Sequence, residues 1–498
     1  MLLTRKPESF WRNENMPSLT PLTGGTQADT VIVGAGMCGL LCAYMLRLKG
    51  VKNIVIIDAG EICGGVTADT TAKITSQHGL IYTKLWEGWS ESAASQYASA
   101  NENAVRLFRE IIEREQINCD FTICDSWVYT TDEDKSRAVL QEAQTAQKLG
   151  IDAKYDIRTE LPFSVKGAVK FSAQAHFHPL KFACAICDIL LNDGCRIYSQ
   201  TAAAAAADGI VYTDRGDIHA RQIICATHYP FIDKRSLMFT KVFQERSYVA
   251  ALRGAGQMKD MYLDCEDGGF SFRPQKDLNG EDMILFGAYD HKTGHEDDMT
   301  HYDGLIEEAA RLYLHAEPAY MWSAQDCMTH DGVPYIGRYE AAGDNIFIAT
   351  GFNKWGMTSS MAAADIISDM ITKGGSSNSD VFSPDRRDIR LQAKSFIKES
   401  VDIAGNFLTH LTPADDKLLK NNEGGVVDDN GRRVGVYKDK NGRIYAVKPV
   451  CTHMGCAVKW NKDENTWDCT CHGSRFDYEG NVLGGPAMKP LERITDNS

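Results

Sequence analysis

The sequence predicts an α/β domain on a parallel sheet, an α+β domain with an antiparallel sheet set into it, and a small all-β domain towards the C-terminal end. Three observations carry this. The run Asp29-Thr-Val-Ile-Val is an apolar strand entering Gly34-x-Gly36-x-x-Gly39, with a helical pattern from Leu40 to Lys49. The middle of the chain mixes helical patterns with strands such as Ser247–Arg253, Phe270–Arg273 and Met283–Ala288. From Gly424 to Val450, short alternating runs are divided by the turn signals Asp429-Asn-Gly431 and Lys440-Asn441-Gly442.

Composition sets the bounds. The 498 residues have room for two or three domains with sizeable cores, and 43% hydrophobic with 24% charged residues is ordinary for a globular chain. A net charge of −14 argues against nucleic acid or an anionic membrane as the main partner. Met1 to Ala28 is polar with no secretory pattern, and no run approaches the roughly 18 apolar residues of a spanning helix. The expectation is a cytoplasmic protein with no transmembrane segment. Of 15 cysteines, most are scattered without metal-site spacing, as buried thiols would be. Cys184 and Cys187 form a CxxC inside Phe182–Leu191, which reads as a helix facing a core.

The first strand, helix and glycines are followed by Asn53-Ile-Val-Ile-Ile-Asp58, a second buried strand ending in an acid 19 residues beyond Gly39. Gly34, Gly36 and Gly39 allow a tight turn and close approach of a pyrophosphate to the helix N-terminus, and Asp58 can accept from a ribose hydroxyl. This predicts dinucleotide binding and leaves FAD or NAD open. A glycine- and threonine-rich loop from Gly64 holds Thr70, Thr71 and Ala72, and His78 follows before Gly79-Leu80. Downstream, Asp331-Gly-Val-Pro-Tyr-Ile-Gly337 precedes the strand Asn345–Gly351, and Phe352-Asn-Lys-Trp-Gly-Met-Thr358 opens a helix through Ile371.

From about residue 28 to 372 this layout resembles the D-amino-acid oxidase/glycine oxidase superfamily. The resemblance implies an α/β FAD-binding Rossmann-like domain and an α+β substrate domain whose antiparallel sheet roofs the flavin. It implies FAD as cofactor, with Gly34, Gly36, Gly39 and Asp58 on the dinucleotide, and Thr70, Thr71 and Ala72 beside the phosphates and flavin. Gly351, Trp355, Gly356, Met357 and Thr358 match the flavin-ring loop. Some amine dehydrogenases of the superfamily attach flavin through a histidine in a stretch like that of His78. Lys354 is a candidate for tuning the flavin. Such oxidases often clamp a substrate carboxylate with an arginine; Arg273 and Arg253 lie on candidate strands, and no position matches a defined clamp. His78, Lys354 and Arg273 are the catalytic candidates. No Ser-His-Asp triad is apparent, and His176, His178, His291 and His295 lack metal spacing.

Cys451-Thr-His453 and Cys469-Thr-Cys-His472 are two Cys-His pairs on short loops. Two thiolates on one iron and two imidazoles on the other are the ligands of a Rieske [2Fe-2S] centre; a zinc ribbon is the competing reading of such pairs. Residues 417–495 resemble the Rieske domains of respiratory and photosynthetic cytochrome complexes. The resemblance implies that Cys451, His453, Cys469 and His472 hold the cluster and that Cys456 and Cys471 form a disulfide between the loops. Gly485-Pro486-Ala487 matches the loop that shields the cluster, and the imidazole edges would lie nearest solvent. Ser474 matches a serine that hydrogen-bonds a cluster sulfide. Phe476 stands where the high-potential group has tyrosine, which points to an intermediate potential in the roughly −150 to +300 mV Rieske range.

The expected organisation is an extension over 1–27, an oxidoreductase over 28–384, a helical linker over 385–416 with an apolar stripe from Ile389 to Leu408, and the Rieske domain over 417–498. Within the oxidoreductase, FAD-binding segments are expected at about 28–84, 158–228 and 328–372, and the substrate domain at about 85–157 and 229–327. The expected function is an FAD-dependent dehydrogenase of an amine or amino acid, passing electrons through the Rieske cluster to an external acceptor such as a small redox protein or quinone. The alternatives are reverse flow, from an external donor through the cluster to FAD, and a non-catalytic redox sensor or relay.

Overall fold

The structure, a computed structural model, describes residues 7–207, 209–232, 238–266, 268–296, 300–386 and 419–494. The stripe expected from Ile389 to Leu408 lies outside the described residues.

The first sheet is built around Thr26–Val33, paired in parallel with Ile54–Ile57 on one side and Ile218–Cys225 on the other. Arg196–Tyr198 and Ile346–Thr350 extend it in parallel, and Tyr335–Arg338 adds an antiparallel edge. Val31, Ile32, Val55, Ile56 and Ile57 are buried because a parallel sheet is covered on both faces. The helix Met37–Leu48 packs on this sheet and against Gly356–Lys373. Gly39 makes that approach possible: a Cβ there would lie 1.9 Å from the Gly34 carbonyl oxygen. The alanine run forms a strand, Ala203–Ala207, in a hairpin on the edge of this sheet.

The second sheet has nine described strands in the order Glu317–Thr329, Val242–Arg253, Asp282–Lys292, Ser271–Lys276, Met261–Asp264, Thr122–Thr130, Gly167–His176 and Lys73–Ile74, with Ala153–Tyr155 beside Gly167–His176. It is antiparallel except where Met261–Asp264 meets Thr122–Thr130. The apolar spacing over Lys135–Leu149 predicts the helix found at Ser136–Lys148, whereas that over Ala100–Glu115 predicts only the later part of Glu91–Arg114, whose first turns are rich in alanine and serine. Gly167–His176, read as part of an FAD-binding segment, belongs to this second sheet, as does Lys73–Ile74. Neither the mixed pattern of Gly167–His176 nor the two residues Lys73–Ile74 carries a signal that assigns it to one sheet, so only the pairing decides.

The C-terminal part holds a three-stranded sheet (Glu423–Asp429, Arg432–Lys438, Ile444–Val447) and a four-stranded one (Val458–Asn461, Thr466–Cys469, Arg475–Asp477, Val482–Gly484). Trp467 and Phe476 are fully buried between them, with the paired cysteines of the two loops in the same core.

The N-terminal stretch is anchored to the rest. Ser9 caps the short helix Phe10–Asn13, and Trp11, fully buried, donates from Nε1 to the Thr70 carbonyl at 2.6 Å.

Candidate functional site

A cavity of about 1150 Å³ runs from the first sheet to the underside of the second. It is lined by Gly34, Gly36 and Asp58, by Thr70 and Thr71, by His78, and by Lys354, Trp355, Gly356 and Met357. Gly39, Ala72, Gly351, Thr358 and Arg273 stand behind this lining. Thr358 donates from Oγ1 to the Thr75 carbonyl at 2.7 Å and accepts from the Thr75 N–H at 3.1 Å, which ties the threonine loop to the Gly356–Lys373 helix.

The chemistry of the lining fits a dinucleotide. Gly36, Met37 and Cys38 line the cavity, so the helix Met37–Leu48 presents its N-terminus there with its dipole favouring anions, and Thr67 Oγ1 accepts from the Met37 N–H at 3.1 Å. Asp58 sits at the end of its strand and accepts from the backbone N–H of Ala35 at 2.7 Å and of Gly60 at 2.9 Å. Burial pushes its carboxyl up, and those two donors oppose the shift.

The threonine loop is clamped from outside. Arg273 is fully buried, donates to the Thr71 carbonyl at 2.7 Å and to the Phe177 carbonyl at 3.0 Å, and stacks over Trp11 at 5.2 Å. Trp322 Nε1 donates to the Asp69 carbonyl at 2.9 Å, and Arg12 pairs with the Asp69 carboxylate at 2.9 Å. The structure therefore places Arg273 as a brace for the loop, away from the cavity surface, with its two Nη groups spent on protein acceptors. Arg253, the other arginine singled out, pairs with Asp277 at 2.9 Å, outside the cavity lining.

His78 stacks on Trp355, with ring centroids 4.7 Å apart. Its Nε2 faces the Thr75 carbonyl at 2.8 Å and its Nδ1 the Tyr97 hydroxyl at 2.6 Å. A carbonyl only accepts, so Nε2 carries the proton and Nδ1 accepts from tyrosine. Burial lowers the imidazole to about 3, so it is neutral at physiological pH. Both nitrogens are engaged within the protein. Lys354 pairs with Asp290 at 2.6 Å and Glu245 at 2.9 Å; burial alone would lower it, and those charges hold it above its ordinary value.

Cys451 and Cys469 are 2% and 1% exposed, and the rings of His453 and His472 lie 5.1 Å apart at 86°. Two thiols and two imidazoles thus converge from two loops, a donor set that could hold a two-iron cluster. The Cys451 thiol is drawn down to about 6, first by Cys469 and further by the His453 backbone N–H and the Ser474 hydroxyl. Ser474 Oγ also accepts from the Ala487 N–H at 2.9 Å, joining the shielding loop to the site. Cys456 and Cys471 are disulfide-bonded with Cα atoms 6.2 Å apart.

The imidazole edges, expected near solvent, are covered. Phe239 packs edge-on to His472 at 5.5 Å and to His453 at 6.4 Å, and the two imidazoles are 3% and 8% exposed. The reason is the docking of this domain on the second sheet. Gln325 Nε2 donates to the Gly473 carbonyl at 2.9 Å, His295 Nε2 meets the Thr470 carbonyl at 2.8 Å, and Arg246 meets Glu464 at 2.5 Å. Gly473 sits so close to the sheet that a Cβ would be 2.5 Å from Gln244 Cβ. On the strand Val242–Arg253, Phe243, Glu245, Ser247 and Val249 line the cavity, while Gln244 and Arg246 face the cluster loops. Sequence reading missed this double use. Its signal is a strand with charged residues on both of its alternating faces, so that neither face is simply core.

The FAD dependent oxidoreductase (DAO) family model matches residues 29–370, and the Rieske [2Fe-2S] domain model matches residues 412–495. The chain belongs to the FAD dependent oxidoreductase family and carries a Rieske domain: it is an oxidoreductase with FAD and a [2Fe-2S] cluster as cofactors. It is 36% identical over 498 residues to the Rieske 2Fe-2S iron-sulfur protein YhfW of Bacillus subtilis (strain 168), covering 98% of this chain and 97% of that one. Its C-terminal part is 50% identical over 56 residues to the chloroplastic cytochrome b6-f complex iron-sulfur subunit of Arabidopsis thaliana, covering 11% of this chain and 24% of that one. In fold it is similar to glycine oxidase from Geobacillus kaustophilus, with TM-score 0.60, 16% identity, and coverage of 73% of this chain and 99% of that one. It is also similar to L-amino acid deaminase from Proteus vulgaris, with TM-score 0.59, 16% identity, and coverage of 75% and 100%. Among the described residues, no helix is long and apolar enough to cross a membrane.

Proposed function

We propose that the protein is a dehydrogenase that oxidises an amine or amino acid in the cavity and delivers the electrons to an external one-electron acceptor by way of its C-terminal domain. When bound, FAD accepts two electrons with a substrate hydrogen, and the cluster exchanges electrons singly. The observation that carries the reading is the Val242–Arg253 strand. It gives alternate side chains to the cavity and to the loops bearing Cys451, His453, Cys469 and His472, so the two cofactor sites are one sheet apart. The fold neighbours named for glycine oxidase and L-amino acid deaminase supply the substrate class.

The chain's own residues have defined tasks in this reading. Gly34, Gly36 and Asp58 hold the dinucleotide, with Gly39 packed behind them. Thr70, Thr71 and Ala72, braced by Trp11 and Arg273, run beside it. Gly351, Trp355, Gly356, Met357 and Thr358 form the loop and helix start at the ring, with neutral His78 stacked on Trp355. Cys451 and Cys469 with His453 and His472 hold the cluster, and Val482 to Met488 close the cavity on that side. Exposed Met454, Leu483 and Met488 give a small redox protein or quinone an apolar place to meet the domain.

Anaerobic mixing of the purified protein with amino acids and N-methyl amines tests this. Flavin bleaching by one of them is the expected result. Reduction by ferredoxin, with no bleaching by any amine or amino acid, would overturn it in favour of reverse flow.

A further inference from the structure

The cavity ends, under the second sheet, on an unusual charge set. Glu245 from Val242–Arg253, Asp290 from Asp282–Lys292 and Asp326 from Glu317–Thr329 all line it, and Glu245 and Asp326 are direct cross-strand partners. Lys354 reaches into this set and is held by Glu245 and Asp290. That leaves one more carboxyl than the lysine can pair. Asp326 is the remainder: it is half-buried, faces the cavity, and its side chain has no hydrogen bond or ion pair among the described residues. A carboxyl without a partner beside open space either holds a proton or, once ionised, is stabilised by a counter-charge from outside the chain.

The lining is also short of what a carboxylate would need. No arginine lines the cavity among the described residues. Lys73 donates to the Tyr262 carbonyl at 3.1 Å and to Ser271 Oγ at 2.5 Å, and burial lowers it to about 7, so it is a weak counter-ion. Lys354 is already claimed by two acids, and Lys84, the third lysine of the lining, has its Nζ beside Gly332.

We propose that Glu245, Asp290 and Asp326 make this end of the cavity a cation-recognition site, so that the substrate enters as an ammonium ion and carries no carboxylate to be clamped. The inference rests on the amine-oxidising reading above and narrows it to amines without an α-carboxylate. Burial pushes the Asp326 carboxyl up to about 7, against the pull of Lys354 and Arg246 and with the push of Asp290 and Glu245, which are the charges around it. Cation binding should then strengthen as pH rises through about 7 and Asp326 ionises.

Calorimetric titration of the FAD- and cluster-loaded protein with benzyltrimethylammonium, and in parallel with benzoate, tests the site without turnover. The quaternary cation does not titrate, so any pH dependence belongs to the protein. Expected are binding of the cation over benzoate and an affinity about tenfold higher at pH 8 than at pH 6. Asp326→Asn should flatten that profile. Glu245→Gln should weaken cation binding, whereas Lys354→Met, which frees two carboxylates, should strengthen it; misfolding cannot produce opposite signs. Tighter benzoate binding, a flat wild-type profile, or no cation binding would overturn the proposal. Flavin bleaching by an amino acid but not by its decarboxylated amine would also overturn it. A cation that binds in a protein no amine can bleach would instead overturn the dehydrogenase reading and leave the recognition site standing.

Discussion

Arg246 and Glu464 meet at 2.5 Å across the junction between the cavity roof and the iron–sulfur domain, with side chains 1% and 12% exposed. Arg475 joins Glu464 from its own domain, and Ser323 and Tyr302 add hydroxyls from the other. A buried ion pair is weak evidence of net stability, but removing one partner strands the other charge at a cost of about 3–5 kcal/mol. Arg246→Ala should therefore loosen the domain junction. The expected outcome is slower flavin-to-cluster transfer with flavin bleaching by substrate retained, read by stopped-flow absorbance at the two chromophores. Transfer at the wild-type rate would mean that the pair does not set the docking.

The same junction should respond to acid. Burial alone would raise the Glu464 carboxyl; Arg246 and Arg475 overcome this and hold it at about 2. A depressed carboxylate contributes its stability in full above its unfolded value of about 4.5 and loses it as pH falls from there towards about 2, a span worth about 3 kcal/mol. Denaturant unfolding at pH 6 and pH 3 should show about 2 kcal/mol of this loss, and Glu464→Gln should remove that part of the difference.

At the cluster site, the Ser474 hydroxyl bonds Cys451 and Phe476 is fully buried nearby in the same small core. Hydrogen bonds to cluster sulfurs favour the reduced, more negative state. Ser474→Ala should lower the potential by about 60 mV, the one-electron equivalent of about 1.4 kcal/mol. Phe476→Tyr should raise it. Redox titration followed by EPR measures both, and an unchanged potential in either variant would contradict the hydrogen-bond account.

Trp11 and Arg273 hold the carbonyls of Thr70 and Thr71 from behind the cavity wall. Trp11→Ala should cost about 3–5 kcal/mol, as large aromatic-to-alanine changes in cores do, and release FAD. The ratio of flavin to protein absorbance after dialysis reads the loss; full retention would show that the loop does not depend on this brace.

What could be read in advance follows from how local each signal is. The Cys-His pairs and the Gly34, Gly36, Gly39 turn are compact in sequence because their chemistry needs neighbours a few residues apart. Asp58 follows from the βαβ spacing. The set of Glu245, Asp290 and Asp326 was not legible, because three separate strands bring it together and only their register decides which side chains share a face. Arg273 shows the converse failure: a strand arginine reads as a carboxylate clamp until the fold gives its donors to Thr71 and Phe177. The covered imidazoles of His453 and His472 depend on Phe239, more than 200 residues away in sequence, and on domain docking that no local pattern encodes.

The central claim, that electrons taken in the cavity leave through the iron–sulfur domain, is tested most directly by rapid anaerobic mixing of the loaded protein with an amine that bleaches its flavin, with samples frozen in time for EPR. The account predicts flavin bleaching first and the reduced-cluster signal after it, with the delay lengthened in Arg246→Ala. A flavin that bleaches fully while the cluster stays oxidised would contradict it.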